Sequence, residues 1–282
     1  AAPAAAPAAP AAAARAKPAP VAAGATDPST SGTAVAWRTL GAEQRAIGGG
    51  NVATAAGGAI VVAALATPDA PLATISPATG VSALAVSATH VAWRAPRAKG
   101  GDVLLAAALP PRAADDSDPP PSPPDPLAVT GRDAQLSRPS LDGNRLAYAV
   151  ATRHSSRIVV VELANGAKRT VLRSRRTQLS QPALHGDALL YVQARACDQR
   201  LRLKRAGRAT RTLLTLGTTA RRDEGHEHHH TAQGSEPTAC PRGTPPRTGV
   251  TLWSTALDAR AAYVTLLRAA TRSARIVRIS RR

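Results

Sequence analysis

The densest group of ligand-type side chains is the stretch RRDEGHEHHH over residues 221–230. His226, His228, His229 and His230 stand there with Asp223, Glu224 and Glu227 beside them. Neutral imidazole and carboxylate suit zinc, nickel or copper(II). Side chains alternate along an extended segment, so His226, His228 and His230 would share one side. These four histidines are the candidate ligands for a divalent metal such as zinc or nickel, bound as a surface site; no other cofactor is expected. The spacing is not that of a structural zinc finger. His226-Glu227-His228 is also too tight for the helical HExxH arrangement of metalloproteases. The competing reading is a solvated polar loop, in which Arg221 and Arg222 repel a cation.

The two cysteines, Cys197 and Cys240, lie 43 residues apart and form no CxxC. In an exported protein such a pair reads as one disulfide. It would pin the histidine-bearing insertion to a loop of its own repeat unit. Two unpaired thiols are the alternative. Other chemistry is hard to find. There is no GxSxG elbow, no GxxxxGK[ST] loop and no GxGxxG before a helix. His90, His154 and His185 are single histidines in turns and loops, and nothing selects a Ser/His/Asp triad or any other catalytic set.

The elements that would carry these residues announce themselves by repetition. QLSRPSLDGNRLAYAV at 135–150 returns as QLSQPALHGDALLYVQ at 178–193, at an offset of 43 residues. Each copy contains Leu-x-Gly-x-x-Leu-x-Tyr, ending at Tyr148 and Tyr191. Each is followed by a second apolar strand (RIVVVEL from Arg157, RLRLKR from Arg200) and a third near Lys168 or Arg211. Gly, Asn and Asp turns between short strands are the antiparallel meander signal. Weaker copies run through Val86, Ala88, Val91 and Trp93, through Leu257, Ala262 and Tyr263 with one residue deleted, and through Gly57, Ile60 and Val62. Gly32, Val35 and Trp37 give a sixth. Trp37, Trp93, Tyr148, Tyr191 and Tyr263 thus share one template position, which reads as packing between units rather than as a ligand box.

A period of 40–45 residues with several short strands per unit is the sequence mark of a β-propeller. A lone four-stranded sheet cannot bury both faces; stacked radially, each covers its neighbour. The expected fold is all-β, a propeller of about five to six short-stranded blades over residues 30–282, with six weakly favoured. Polar insertions at about 110–126 and 217–247 account for the two long gaps. The last copy lacks an outer strand, which a segment within 33–48 could supply to close the ring. Residues 1–29 are rich in Ala and Pro, and the prolines defeat helix formation. They read as a disordered tether, dispensable for folding, that follows removal of a signal peptide.

The stretches LSRPSLDGNRLAYAV, RIVVVELANGAKRTVL and LSQPALHGDALLYV resemble the TolB-like, WD-like propeller repeats of bacterial exported proteins. Those repeats read Pro-x-apolar-Ser-x-Asp-Gly, then an apolar-Ala-Tyr strand. The Asp-Gly turn is kept at Asp142-Gly143 and becomes His185-Gly186 in the next copy. The resemblance implies a fold and an exported setting; function varies widely among proteins that share a fold.

The chain of 282 residues is 44% hydrophobic yet lacks Phe and Met, so its core must be Ala, Val, Leu and Ile. Its net charge is +18, carried mostly by Arg, through compositional drift or to meet an anionic polymer. A basic band covers 131–222. Its strand RLRLKR alternates Leu201 and Leu203 with Arg202 and Lys204, as a charged outer edge or an anion-binding face. Aromatic residues are too few for base stacking, which excludes sequence-specific nucleic-acid recognition. No apolar run is long enough to span a membrane. The function expected is a non-catalytic, monomeric scaffold or binding module, secreted, periplasmic or at the cell surface, whose partner is a protein or an anionic envelope polymer. A metal-binding protein or metal-dependent enzyme using the histidines is the alternative.

Overall fold

Short runs of Ala, Val, Leu and Ile, broken by Gly-containing turns, make antiparallel strands throughout, and the described residues contain no helix. The structure is a computed structural model. It describes residues 19–23, 25–30, 35–39, 44–56, 58–77, 80–110, 126–195, 198–217, 250–268, 271 and 273–281, with side chains from Gln44 onward except Ala56. Residues 1–18, 111–125 and 218–249 fall outside this set. With them fall the first part of the expected tether and nearly all of both insertions.

The described residues open with β1 (Ala19–Ala23), then the ribbon β2 (Ala25–Thr30) and β3 (Val35–Thr39). Blade 1 is β4 (Gln44–Gly48), β5 (Asn51–Ala56), β6 (Ala59–Ala64) and β7 (Thr67–Ile75). Blade 2 is β8 (Ala83–Val86), β9 (His90–Pro96), β10 (Asp102–Ala108) and β11 (Pro126–Val129). Blade 3 is β12 (Ala134–Leu136) and β13 (Ser140–Asp142), both paired to β14 (Arg145–Thr152), then β15 (Ser156–Glu162) and β16 (Ala167–Ser174). Blade 4 is β17 (Gln178–His185), β18 (Ala188–Arg195), β19 (Asp198–Arg205) and β20 (Arg211–Leu216). Blade 5 is β21 (Val250–Leu257), β22 (Ala261–Arg268) and β23 (Ser273–Ser280).

The propeller therefore has five blades, not the favoured six. The stretch around Val35 and Trp37 that suggested a sixth makes only the β2–β3 ribbon, which contacts β21 of the last blade and β4 of the first. Blade 5 does borrow its outer strand from the N-terminal region, but not from residues 33–48. The donor is β1, with Ala19 opposite Arg278 and Ala23 opposite Arg275. The tether expected over 1–29 is thus corrected for Ala19–Ala23 and Ala25–Thr30, which are strands. Pro20 is accommodated because β1 is an edge strand with a bulge between Pro20 and Ala22.

Between blades the cores are small-residue and aliphatic, with one large ring at three of the contacts. Trp93 packs with Ala53, Ile60 and Val62 of blade 1. Tyr148 packs with Ala92 and Leu104 of blade 2, and Tyr191 with Ala147, Ala149 and Ile158 of blade 3. These three rings are equivalent, each standing three residues into its strand and facing the blade before it. Tyr263 is not. Its neighbours are Ala256, Ala261 and Ile276, whereas Val264 packs toward blade 4. The turn Asp258–Ala261 aligns with His185–Ala188 and puts Val264, not Tyr263, at the ring position; one residue of slip moves a side chain to the other face. The copy read at Gly57, Ile60 and Val62 is also out of phase, because Ile60 and Val62 lie on the third strand of blade 1. The strand RLRLKR is β19, flanked by β18 and β20, so it is not an outer edge. Its Leu201 and Leu203 are buried as expected.

Two outcomes follow. Removing residues 1–24 should lower the melting temperature by at least about 5 °C relative to removing residues 1–18, since a domain of this size loses roughly 2–4 °C per kcal/mol; equal melting temperatures would mean that β1 does not close the ring. Burial raises the pKa values of Tyr148 and Tyr191, with Arg157 and Arg202 opposing. The raised folded value means that this stability is complete below the unfolded pKa of about 10 and is lost as pH rises through the folded value. A melting curve falling above about pH 10 should fall less steeply in Tyr191→Phe; identical slopes would contradict the assignment.

Candidate functional site

The innermost strands β4, β8, β12–β13, β17 and β21 surround the propeller axis, and two cavities lie along it. One, of about 260 Å³, sits where these strands turn into the second strands. The other, of about 590 Å³, opens where they begin. Arg138 lines both and so marks the waist between them.

The narrow end is held by hydrogen bonds that run from blade to blade. Asn51 Nδ2 donates to Ser87 O at 2.9 Å, and Ser87 Oγ donates to Gly143 O at 2.9 Å. Asp142 Oδ2 accepts the Gly186 N–H at 2.9 Å and the Arg145 guanidinium at 2.5 Å; Arg145 also donates to Gly186 O at 2.6 Å. The Asp of the Asp-Gly turn is thus an inter-blade staple. Gly143 and Gly186 occupy φ values of 58° and 56°, where a side chain would be strained. At Gly49 the demand is for space as well: an added Cβ would meet Ala88 N at 2.0 Å. His185 lines this cavity alone. His90 and His154 lie elsewhere, His90 with Nδ1 2.9 Å from Thr89 Oγ1 and its pKa lowered by burial. Among the described residues no three His, Cys, Asp or Glu side chains are grouped to hold a metal.

The wide mouth has a different chemistry. The repeated Gln-Leu-Ser-Arg/Gln segments line it, with Gln135, Ser137 and Arg138 from blade 3 and Gln178, Ser180 and Gln181 from blade 4. Arg94 Nε donates to Ser82 Oγ at 2.9 Å, and its Nη1 donates to Leu136 O. Asp102 Oδ2 accepts the Leu136 N–H at 3.3 Å. Arg138 Nε donates to Leu84 O at 3.1 Å. Gln199 Oε1 accepts the Leu252 N–H at 2.6 Å, and Gln181 O accepts Thr255 Oγ1 at 2.6 Å. Gln135 and Gln178 are exposed.

Two irregularities shape this mouth. β17 is bulged between Ser180 and Ala183, and Gln181 has φ 50°, the one positive φ among described non-glycine residues. Such backbone is tolerated where surrounding contacts enforce it, and it concentrates at functional sites. β21 is bulged between Leu252 and Thr255. The bulge turns Ser254 and Thr255 inward and leaves Trp253 47% exposed in the mouth. Sequence reading missed Trp253, because it falls outside the ring-position template. It also passed over Gln135 and Gln178, although polar residues repeating with a blade period are a signal for the axis.

His226, His228, His229 and His230, and likewise Cys197 and Cys240, lie outside the described residues. Of the shared ring positions, Trp93, Tyr148, Tyr191 and Tyr263 are buried and do not belong to the mouth; the side chain of Trp37 lies outside the described residues. Three residues of the basic band can be placed. Arg202 turns to Gln193 at 3.2 Å, while Arg169 and Arg173 are exposed on the outer strand β16.

No family profile and no curated protein matches the chain. Solved structures do. TolB from Acinetobacter baumannii is 12% identical over 85% of this chain and 54% of its own, with a TM-score of 0.46. The β-propeller domain of the Trilobed protease from Pyrococcus furiosus, described as having an open velcro topology, is 10% identical over 92% of this chain and 94% of its own, also at 0.46. Oligopeptidase B from Leishmania major is 14% identical over 82% of this chain, with a TM-score of 0.42; the chain spans 29% of that protein. These likenesses concern the fold.

Asp142→Ala removes the acceptor for Gly186 N–H and the partner of Arg145. It should cost about 1.5–3 kcal/mol, the range for a hydrogen bond to a charged group, read by denaturant unfolding. An unchanged midpoint would show that the turn does not bind blade 3 to blade 4.

Proposed function

We propose that this chain is a non-catalytic, exported propeller that binds a partner at the cell envelope through the wide mouth of its axis. One observation carries the reading: Trp253, a large aromatic side chain, is 47% exposed inside a concave polar mouth while the other described rings are buried. Exposed Trp in a pocket is the residue type that most often anchors binding. Polar side chains converging on one concave site are the ordinary form of a ligand pocket. No described helix is long and apolar enough to cross a membrane, and the Ala/Pro-rich residues that precede β1 suit a tether.

Retention on washed cell envelopes from the source organism, at about 150 mM salt to screen the protein's charge, tests the reading. Trp253→Ala should reduce retention by about tenfold, which corresponds to about 1.4 kcal/mol. The double variant Arg169→Gln/Arg173→Gln, on the outer strand of blade 3, should be retained like the wild type. Equal retention of wild type and Trp253→Ala would overturn the mouth as the binding site.

A further inference from the structure

Resting on that reading, we propose that the wide mouth takes an uncharged oligosaccharide, which stacks a sugar ring on the Trp253 indole and is held by carboxamides from three blades.

The residues around Trp253 hold its ring outward. Leu252 N–H donates to Gln199 Oε1 at 2.6 Å, Ser254 Oγ donates to Thr265 Oγ1 at 3.0 Å, and Thr255 Oγ1 donates to Gln181 O at 2.6 Å. Two of these three bonds cross to blade 4, and the last joins the bulge of β21 to the bulge of β17. A ring ordered before its ligand arrives loses little freedom on binding. The faces of an indole are apolar and its edge carries one N–H. That suits the C–H face of a sugar ring, whose hydroxyls lie around its rim.

The carboxamides recur with the blades. Gln44 begins β4, Gln178 begins β17 and Gln135 is the second residue of β12, so blades 1, 3 and 4 each set one at the mouth. Gln181 adds a fourth from the β17 bulge. Among the described residues these four side chains make no hydrogen bond. A carboxamide offers two donors and an acceptor, which matches hydroxyls that both donate and accept. The backbone is less available. An extended peptide joins a sheet-lined site as a strand, through free N–H and C=O groups of the edge. Here Leu252 N–H and Gln181 O are taken as above, Leu84 O accepts from Arg138, and Leu136 N–H and O are held by Asp102 and Arg94. Every group assigned to the ligand is neutral, so recognition does not depend on the charge around the mouth. The volume of about 590 Å³ lies inside the range of roughly 300–1,000 Å³ for small-ligand pockets.

The test is calorimetry of the full chain with two uncharged probes, cellotetraose and chitotetraose, and with tetraproline as a peptide that can also stack on an indole. At least one tetrasaccharide should bind at least about tenfold more tightly than tetraproline, a difference of about 1.4 kcal/mol. Its affinity should hold within about twofold between about 50 and 500 mM salt, because no charge on the ligand is there to be screened. Trp253→Ala and, independently, Gln135→Ala/Gln178→Ala should each weaken it by about tenfold or more. Arg169→Gln/Arg173→Gln should leave it unchanged. Melting curves identify any variant that fails to fold; Gln135 and Gln178 are exposed, so their variant decides if Trp253→Ala is lost. Three results overturn the proposal. Saccharide affinity equal in the wild type and in a folded mouth variant places the saccharide elsewhere on the protein. Tetraproline binding that depends on Trp253, with neither tetrasaccharide bound, makes the mouth a site for Pro-rich peptide; the ligand class falls and the binding function stands. If no probe binds while envelope retention still depends on Trp253, the saccharide is again wrong and the function stands. Loss of both removes both.

Discussion

A β-sheet with two apolar faces is stable only between two neighbours, and in a ring that condition must hold for the last sheet as well as the first. The whole structure depends on how this seam is closed. Blades 1 to 4 bury their faces against sequential neighbours through Ala, Val, Leu and Ile. Blade 5 has no successor and, among the described residues, three strands of its own. The N-terminal segment answers both needs. β1 becomes its fourth strand, and the β2–β3 ribbon fills the space between β21 and β4.

Closure also fixes the axis. Blades 1 to 4 are locked in sequence at the narrow end by polar contacts, from Asn51 through Ser87 to Gly143, and from Asp142 to Gly186. With that end held, the bulges at Gln181 and Trp253 sit at the opposite end, where irregular backbone does not compromise the ring. A rigid scaffold with one irregular end is the arrangement in which loops and bulges can present side chains to a partner.

Much of this was legible in residues 135–216. The 43-residue offset identified blades 3 and 4, and the strand order within them, because both copies keep their turn glycines and their ring residue. The Asp-Gly turn was legible as a turn but not as a staple, since its acceptor lies in the next blade. Legibility failed where phase slipped. Tyr263 and Ile60 are apolar residues in plausible places, but a one-residue deletion or a one-strand shift moves a side chain to another face or another strand, and composition cannot reveal that. The closing strand was unreadable for a different reason. APVAA carries no periodicity, and it is a strand only because β23 offers it an unpaired edge. Trp253 was hidden by its bulge, which breaks the alternation from which exposure is inferred.

The most direct test is hydrogen exchange at the backbone amides of β23, compared between the full chain and a chain beginning at residue 25. If β1 closes the ring, amides of Arg275–Arg278 that pair with it are protected in the full chain and exchange like an exposed sheet edge in the shortened one, while β18 in blade 4 is little changed. Equal exchange of β23 in both proteins would contradict the closure on which the rest of the structure depends.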